Sequence, residues 1–197
     1  MTRLVLASAS PARLATLRSA GLDPEVMVSG VDESVVTTSD PARLASELAT
    51  LKARAVAARC RDAVVVGCDS VLALDGEVHG KPRDAAEAVA RWRSMRGRSG
   101  VLHTGHCVIA PGYDEVVRGA ATTVHFAELS DAEIDAYVAT GEPLKVAGGF
   151  TVDGLGGPFV RGIEGDHHTV VGISLPLLRE LLASVDVPWV SLWAGTD

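Results

Sequence analysis

Aromatic residues are scarce in this 197-residue chain, at 4%, so its core must be assembled mainly from Ala, Val and Leu, within a hydrophobic fraction of 47%. Cysteine is scarce too. Cys60, Cys68 and Cys107 are odd in number and widely spaced, and no CxxC pair occurs. That excludes a disulfide framework and a cysteine-rich zinc site, and leaves three reduced, buried small residues as the simplest reading. Positive charge is in deficit: 18 Lys and Arg stand against 25 Asp and Glu, for a net charge of −7. A broad basic face for nucleic acid is therefore not expected, although a few local cations can still form a pocket for a small anion. No apolar run approaches the roughly 20 residues that cross a bilayer. The short apolar run in MTRLVLASASPARL is too brief and wrongly flanked for a signal segment, so no membrane contact and a cytoplasmic location are expected. Repeats, low-complexity tracts and linkers are absent, which points to one domain over residues 1–197.

Several catalytic signatures are also missing. No GxxxxGK[ST], HExxH or GxSxG occurs. His103 with His106, and His167 with His168, lack metal-ligand spacing and read as structural or peripheral. The cysteines have no helix-end or histidine context that would activate a thiolate.

Local pattern supplies the elements. Arg3–Ala7 reads as a strand, followed by a helix from Pro11 to about Ala20 with Ser10 as N-cap and Gly21 as its stop. Pro24–Ser29 reads as a short strand and residues 30–40, GVDESVVTTSD, as a polar loop. Asp40-Pro41 opens a second helix reaching about Arg59, with Leu44, Leu48, Leu51 and Ala55 on its apolar face. Val64–Leu74 reads as a central strand pair or bent strand turned at Asp75-Gly76, and Asp84 to Met95 as a third helix. Val101–Ala110 and Val116–Phe126 read as antiparallel strands around Pro111-Gly112. Ser130-Asp131-Ala132-Glu133 is a capping box for a helix to about Thr140. A glycine-rich stretch covers 147–165, and Leu175–Ser184 is a last helix. Strands and helices mix without strict alternation, so the fold class is α/β with a mixed sheet.

Chemistry concentrates in 63–82, AVVVGCDSVLALDGEVHGKP. The run Val64-Val65-Val66 leads to Asp69 at what reads as the end of a buried strand, where ligands of α/β sheets sit. Gly80-Lys81-Pro82 then offers a cation on a rigid turn. Together they suggest phosphate chemistry with a metal ion, against a plain turn cap and a solvated lysine. Upstream, Ser8, Ser10 and Arg13 in LASASPAR surround a helix start whose N–H groups suit an anion. An ordinary βα turn would look the same. Asp32, Glu33 and Asp69 could hold a hard divalent cation, unless 30–40 is only a solvated acidic loop. Lys52 flanks the apolar stripe of the second helix and could reach a cleft or simply be solvated.

Taken in order, the segments LASASPARL (6–14), GVDES with Glu33, ELATLKARAVA (47–57), GCDSV (67–71), GKPRDAAEA (80–88), HTG (103–105), GEPLKVAGGF (141–150) and GLGGPFVRGIEGD (154–166) resemble the Maf family of nucleoside triphosphate pyrophosphatases. The resemblance implies a mixed, bent sheet with flanking helices and two lobes around a deep cleft, as in inosine triphosphate pyrophosphatases. It implies hydrolysis of a nucleoside triphosphate between the α and β phosphates, in the service of removing non-standard or excess nucleotides, with Mg²⁺ or Mn²⁺ as cofactor. By position, Asp69 matches the carboxylate base, Glu33, Lys52 and Lys81 the remaining catalytic groups, and Ser8 and Arg13 the phosphate contacts. Asp69 and Glu33 would carry the metal. An ordinary aspartate is a weak proton acceptor at neutral pH, which leaves two roles open at Asp69: taking a proton from water, or positioning water or metal. Ala12 stands where many family members have a second arginine, and Ser70 and Asp153 stand where a uridine- and thymidine-specific group has threonine and glutamine. These positions vary with base preference, which stays open. A nucleotide-binding regulator of septum formation without turnover is the alternative, and an inosine/xanthosine triphosphatase a third reading. Homodimers are common in the family, and the tail with Trp189 and Trp193 could serve an interface or cover the protomer's own core.

Overall fold

A computed structural model describes residues 2–193. Its centre is a seven-stranded mixed sheet in the order β2-β1-β3-β5-β6-β7, with β4 paired to β3 beside that path. The strands are β1 (Leu4–Leu6), β2 (Glu25–Val26), β3 (Val64–Leu74), β4 (Glu77–His79), β5 (Ser99–Ile109), β6 (Val116–Phe126) and β7 (Val160–Glu164). β1 runs parallel to β2 and β3, and all other pairs are antiparallel. The helices are α1 (Pro11–Ser19), α2 (Pro41–Ala57), α3 (Ala85–Met95), α4 (Asp131–Ala139), α5 (His167–Val171) and α6 (Leu175–Ala183). Ser10, Asp40 and Ser130 cap α1, α2 and α4 as read, each accepting from a backbone N–H three residues on.

Three differences from the sequence reading matter. First, the strand does not end at Asp69. β3 continues to Leu74, so Asp69 lies mid-strand. Its pairing with β1 covers only Val64–Val66 and its pairing with β4 only Leu72–Leu74, while β5 runs along the other side from Val65 to Ala73. Among the described residues, 67–71 therefore have a strand neighbour on one side only. Second, α2 buries Ala45, Leu48, Ala49, Ala53 and Val56, and leaves Leu44, Leu51 and Ala55 half-buried. The small residues let the helix backbone approach the sheet, which a larger stripe would prevent. Third, the glycine-rich stretch contains the edge strand β7, and α5 follows it. Neither is expected from the sequence, and β2 is shorter than the strand expected over Pro24–Ser29.

Apolar side chains pack in three clusters. One joins β1, β3, α1 and α6 through Leu6, Leu17, Val66 and Leu178. Another gathers most of the few aromatics, with Trp92 edge-on to Phe126, Tyr137 and Phe159 at 5.6, 5.5 and 6.0 Å. The third lies under α2 around Val5, Ala53 and Val65. All three cysteines are free and buried. Burial pushes the Cys68 thiol up to about 12 and the Cys107 thiol up to about 11, which keeps both protonated and unreactive. Trp189 packs on the first cluster, and the Trp193 indole N–H donates to the Ala20 carbonyl at 3.1 Å. Trp189 and Leu192 thus pack on the protomer's own core, while Trp193 is 41% exposed. Residues 194–197 lie outside the described residues. No described helix is long and apolar enough to cross a membrane.

Candidate active site

The close approach of α2 to the sheet builds the site. A Cβ on Gly67 of β3 would stand 2.3 Å from the Ala49 carbonyl oxygen, and one on Gly105 of β5 2.3 Å from that of Ala45. Glycine at both positions lets the helix lie directly on the strands. Side chains alternate along β3, so Asp69 emerges on the same face as Gly67, beneath the next turn of α2. Lys52 on that turn reaches it, with Nζ 2.5 Å from Asp69 Oδ1 and 2.8 Å from Glu33 Oε1. The Lys52 and Asp69 side chains are each 12% exposed and Glu33 is 52% exposed, so the cluster opens to solvent through Glu33. One ammonium thus bridges two carboxylates.

Asp32 does not join them. Its Oδ1 accepts from the Ser34 N–H (3.0 Å) and hydroxyl (2.6 Å), which caps the 3₁₀ turn Glu33–Val35. Those two hydrogen bonds outweigh the slight desolvation and hold its carboxyl below the usual range. Among the described residues, no three His, Cys, Asp or Glu side chains converge on one point. Asp69 and Glu33, which meet through Lys52 Nζ, are the carboxylates a cation could use, through the oxygens that Lys52 leaves open. The two form an oxygen-only donor pair suited to Mg²⁺, which usually takes one or two carboxylates and completes its shell with phosphates and water.

Ser70 points to the opposite face. It belongs to a buried network with Arg13, Ser8, Thr104, the Thr169 carbonyl in α5 and the Gly172 carbonyl just after it. Ser8 Oγ accepts from the Ser10 N–H and from Arg13 Nη1, both at 3.1 Å. Ala12 is half-buried on α1, and its carbonyl accepts from the Thr16 hydroxyl.

Lys81 is exposed and has no hydrogen bond or ion pair among the described residues. Its turn, by contrast, is anchored. Gly80 O accepts from Arg91 Nη1 at 2.5 Å and from the Gly148 N–H at 3.0 Å, and Trp92 Nε1 donates to Gly149 O at 2.9 Å. His79 is opposite Leu72, so the antiparallel register carries the chain back along β3 towards Asp69. The open stretch 67–71 is thus flanked by the Ser8–Ser10 turn after β1 and by the Lys81 turn after β4. Asp153 lies on an exposed loop with no partner of its own among the described residues. Glu142 organises that loop by accepting from Tyr137 Oη, Thr151 Oγ1, Leu155 N and Gly156 N at 2.6–3.1 Å.

Sequence reasoning missed Gly67, Gly105, Arg91, Thr104 and Glu142. Only the two glycines carried a local signal, since a lone glycine inside a strand pattern marks a close backbone approach. Two surface concavities of about 350 and 550 Å³ lie along α2, the first reaching from Arg43 to Arg54 and the second at its first turns, and neither is lined by Asp69, Lys52 or Glu33.

Residues 3–185 match a family model described as Maf-like protein. A nucleoside triphosphate pyrophosphatase of Salinispora tropica is 60% identical over an alignment covering 99% of this chain and 89% of that protein. Proteins of the same name from Streptomyces coelicolor and Synechococcus elongatus are 60% and 53% identical, covering 99% and 97% of this chain and 96% and 97% of their own lengths. Among solved structures, the Staphylococcus aureus Ham1 protein overlaps 64% of this chain and 73% of its own, with a TM-score of 0.47 and 16% identity, too loosely to carry an argument. A match over nearly the whole length, with relatives this similar, decides the matter: the chain belongs to the Maf-like protein family.

Proposed function

We propose that this protein is a nucleoside triphosphate pyrophosphatase that works at the Asp69–Lys52–Glu33 cluster. The observation that carries this reading is the placement of that cluster on a stretch of β3 with one open side, flanked by the Ser8–Ser10 turn and the unpaired Lys81. The names of the relatives support it. One water is consumed, the anhydride between the α and β phosphates breaks, and a nucleoside monophosphate and pyrophosphate leave.

Each residue has a task in this scheme. Asp69 orients the attacking water or accepts its proton, held in place by Lys52. Asp69 and Glu33 would hold Mg²⁺ or Mn²⁺, which when bound neutralises phosphate charge and polarises the reacting centre. Lys81 has no competing partner among the described residues and meets the polyphosphate. Asp153 is the free acceptor among the three base-preference positions, because Ser70 is engaged internally and Ala12 has no polar side chain. A carboxylate there accepts from the ring N–H and amino group of a guanine. The cleft between two lobes would lie along the open stretch of β3. A cytoplasmic location fits a nucleotide substrate. Nothing in the comparisons favours a septum regulator that binds without turnover.

The test is pyrophosphate release from a panel of standard and modified nucleoside triphosphates with Mg²⁺ or Mn²⁺. Release is expected from the unaltered protein, and Asp69→Asn should lower it by about 100-fold or more. A folded protein that releases pyrophosphate from none of them overturns the reading.

A further inference from the structure

Arg13 is 9% exposed, and its guanidinium is already spent. Of its five N–H donors, four have acceptors. Nε donates to Gly172 O at 2.7 Å, Nη1 to Ser8 Oγ at 3.1 Å and Cys68 O at 2.9 Å, and Nη2 to Ser70 Oγ at 3.2 Å. The single N–H that remains cannot make the two-bond fork by which arginine grips a phosphate.

These acceptors belong to three separate parts of the fold: the turn after β1, the middle of β3 and the turn after α5. The Cys68 carbonyl lies on the stretch of β3 that has no strand on one side. There the guanidinium supplies a donor that a neighbouring strand would otherwise supply. Ser70 stands on the same stretch. It bonds Thr104 Oγ1 at 2.8 Å, and Thr104 in turn donates to Thr169 O at 3.0 Å. Thr104 is fully buried. Gly172 closes the arrangement. A Cβ there would stand 3.2 Å from Arg13 Nε, and its φ of +123° is one that L side chains rarely adopt.

We infer that Arg13 is a positioning residue: it stands in for the missing strand beside residues 67–71, and with Ser70 and Thr104 it fixes the β3 backbone from which Asp69 projects on the opposite face, without touching the substrate phosphates. The inference rests on the proposed pyrophosphatase reading for its kinetic consequences but not for its structural ones.

The test uses Arg13→Lys, Thr104→Val and Thr104→Ser in the full chain. Three quantities are read: kcat and KM for the best substrate, affinity for its α,β-methylene analogue with Mg²⁺, and hydrogen exchange of peptides spanning 64–74. A brace predicts that Arg13→Lys lowers kcat about tenfold or more, while KM and analogue affinity stay within about threefold. Amide exchange at 67–71 should quicken. Thr104→Val should show the same split, more weakly, and Thr104→Ser should restore the parent behaviour. Loss of analogue affinity beyond about tenfold in Arg13→Lys, with kcat kept and exchange unchanged, overturns the inference and makes Arg13 a phosphate ligand. If Arg13→Lys does not fold, the Thr104 pair decides. If the unaltered protein releases no pyrophosphate, the proposed function fails by itself. Exchange at 67–71 then still judges the brace, and unchanged exchange in the variants overturns it.

Discussion

Replacing Gly67 with alanine would put a Cβ 2.3 Å from the Ala49 carbonyl oxygen, 2.8 Å from Ala53 Cβ and 2.9 Å from Ala53 N. Two of these are backbone atoms of α2, which no rotamer change can move. Ordinary contact begins near 3.4 Å, so helix and strand must separate by about 1 Å. Overpacking of this kind costs about 1–3 kcal/mol. At 2–4 °C per kcal/mol for a domain of this size, a cost of about 2 kcal/mol lowers the melting temperature by about 4–8 °C. The kinetic effect should be larger. Lys52 rides on the displaced helix, and its 2.5 Å contact to Asp69 is the geometry being stretched. A misplacement of about 1 Å at a reacting centre costs about 100-fold in rate. Thermal unfolding followed by circular dichroism, paired with pyrophosphate release, reads both effects. Gly162→Ala is the control, because a Cβ on that edge-strand glycine meets nothing within 4 Å. If Gly67→Ala melts within about 2 °C of the parent and keeps its turnover, the close approach of α2 does not hold the site and the reasoning fails.

Two further predictions concern the buried His106 and the half-buried Glu142. His106 is fully buried, and its Nε2 accepts the Ser174 N–H at 2.8 Å, which requires a neutral ring. Burial, aided by the nearby Arg13 charge, pushes its pKa down from 6.5 to about 4. Between those values the unfolded chain binds a proton that the folded chain refuses. The ring's stabilising contribution is therefore complete above about pH 6.5 and falls away towards pH 4, by about 3 kcal/mol. In urea unfolding across this range, His106→Gln should lose stability less steeply than the parent, and parallel curves would refute the assignment. Glu142→Gln keeps one acceptor oxygen, which can serve the three donors on Oε1, but puts an amide NH₂ in place of Oε2, so the Leu155 N–H on the Asp153 loop loses its acceptor and faces a donor. It should cost about 1–3 kcal/mol and admit proteases at residues 151–156, whereas unchanged proteolysis would show that the loop holds itself.

Local chemistry made much of the fold legible. The caps at Ser10, Asp40 and Ser130 need only a side-chain oxygen and the backbone N–H three residues on, so short-range sequence suffices. The β-branched run at 64–66 and the alternation through 116–126 announce strands for the same reason. The helix face of α2 was harder. Leucines dominate any hydropathy reading, yet the buried stripe is mostly alanine because two glycines on the sheet draw the helix backbone inwards. β7 emerges from a glycine-rich stretch because β6 offers it a partner in register, Thr123 opposite Glu164, and nothing local announces it.

The site divides along the same line. From the sequence come the residue types and their order: carboxylates at 33 and 69, lysines at 52 and 81, and a serine-arginine turn at 8–13. Which carboxylates meet was decided by tertiary structure, since Asp32 spends itself on Ser34 while Glu33 reaches Lys52. The hydrogen-bond partners of Arg13 were decided there too. Its charge invites an anion in any linear reading, but its acceptors stand 5, 55, 57 and 159 residues away. A buried guanidinium bonds whatever acceptors the folded chain presents to it, and strand register and helix approach set those acceptors over distances that sequence neighbours do not report.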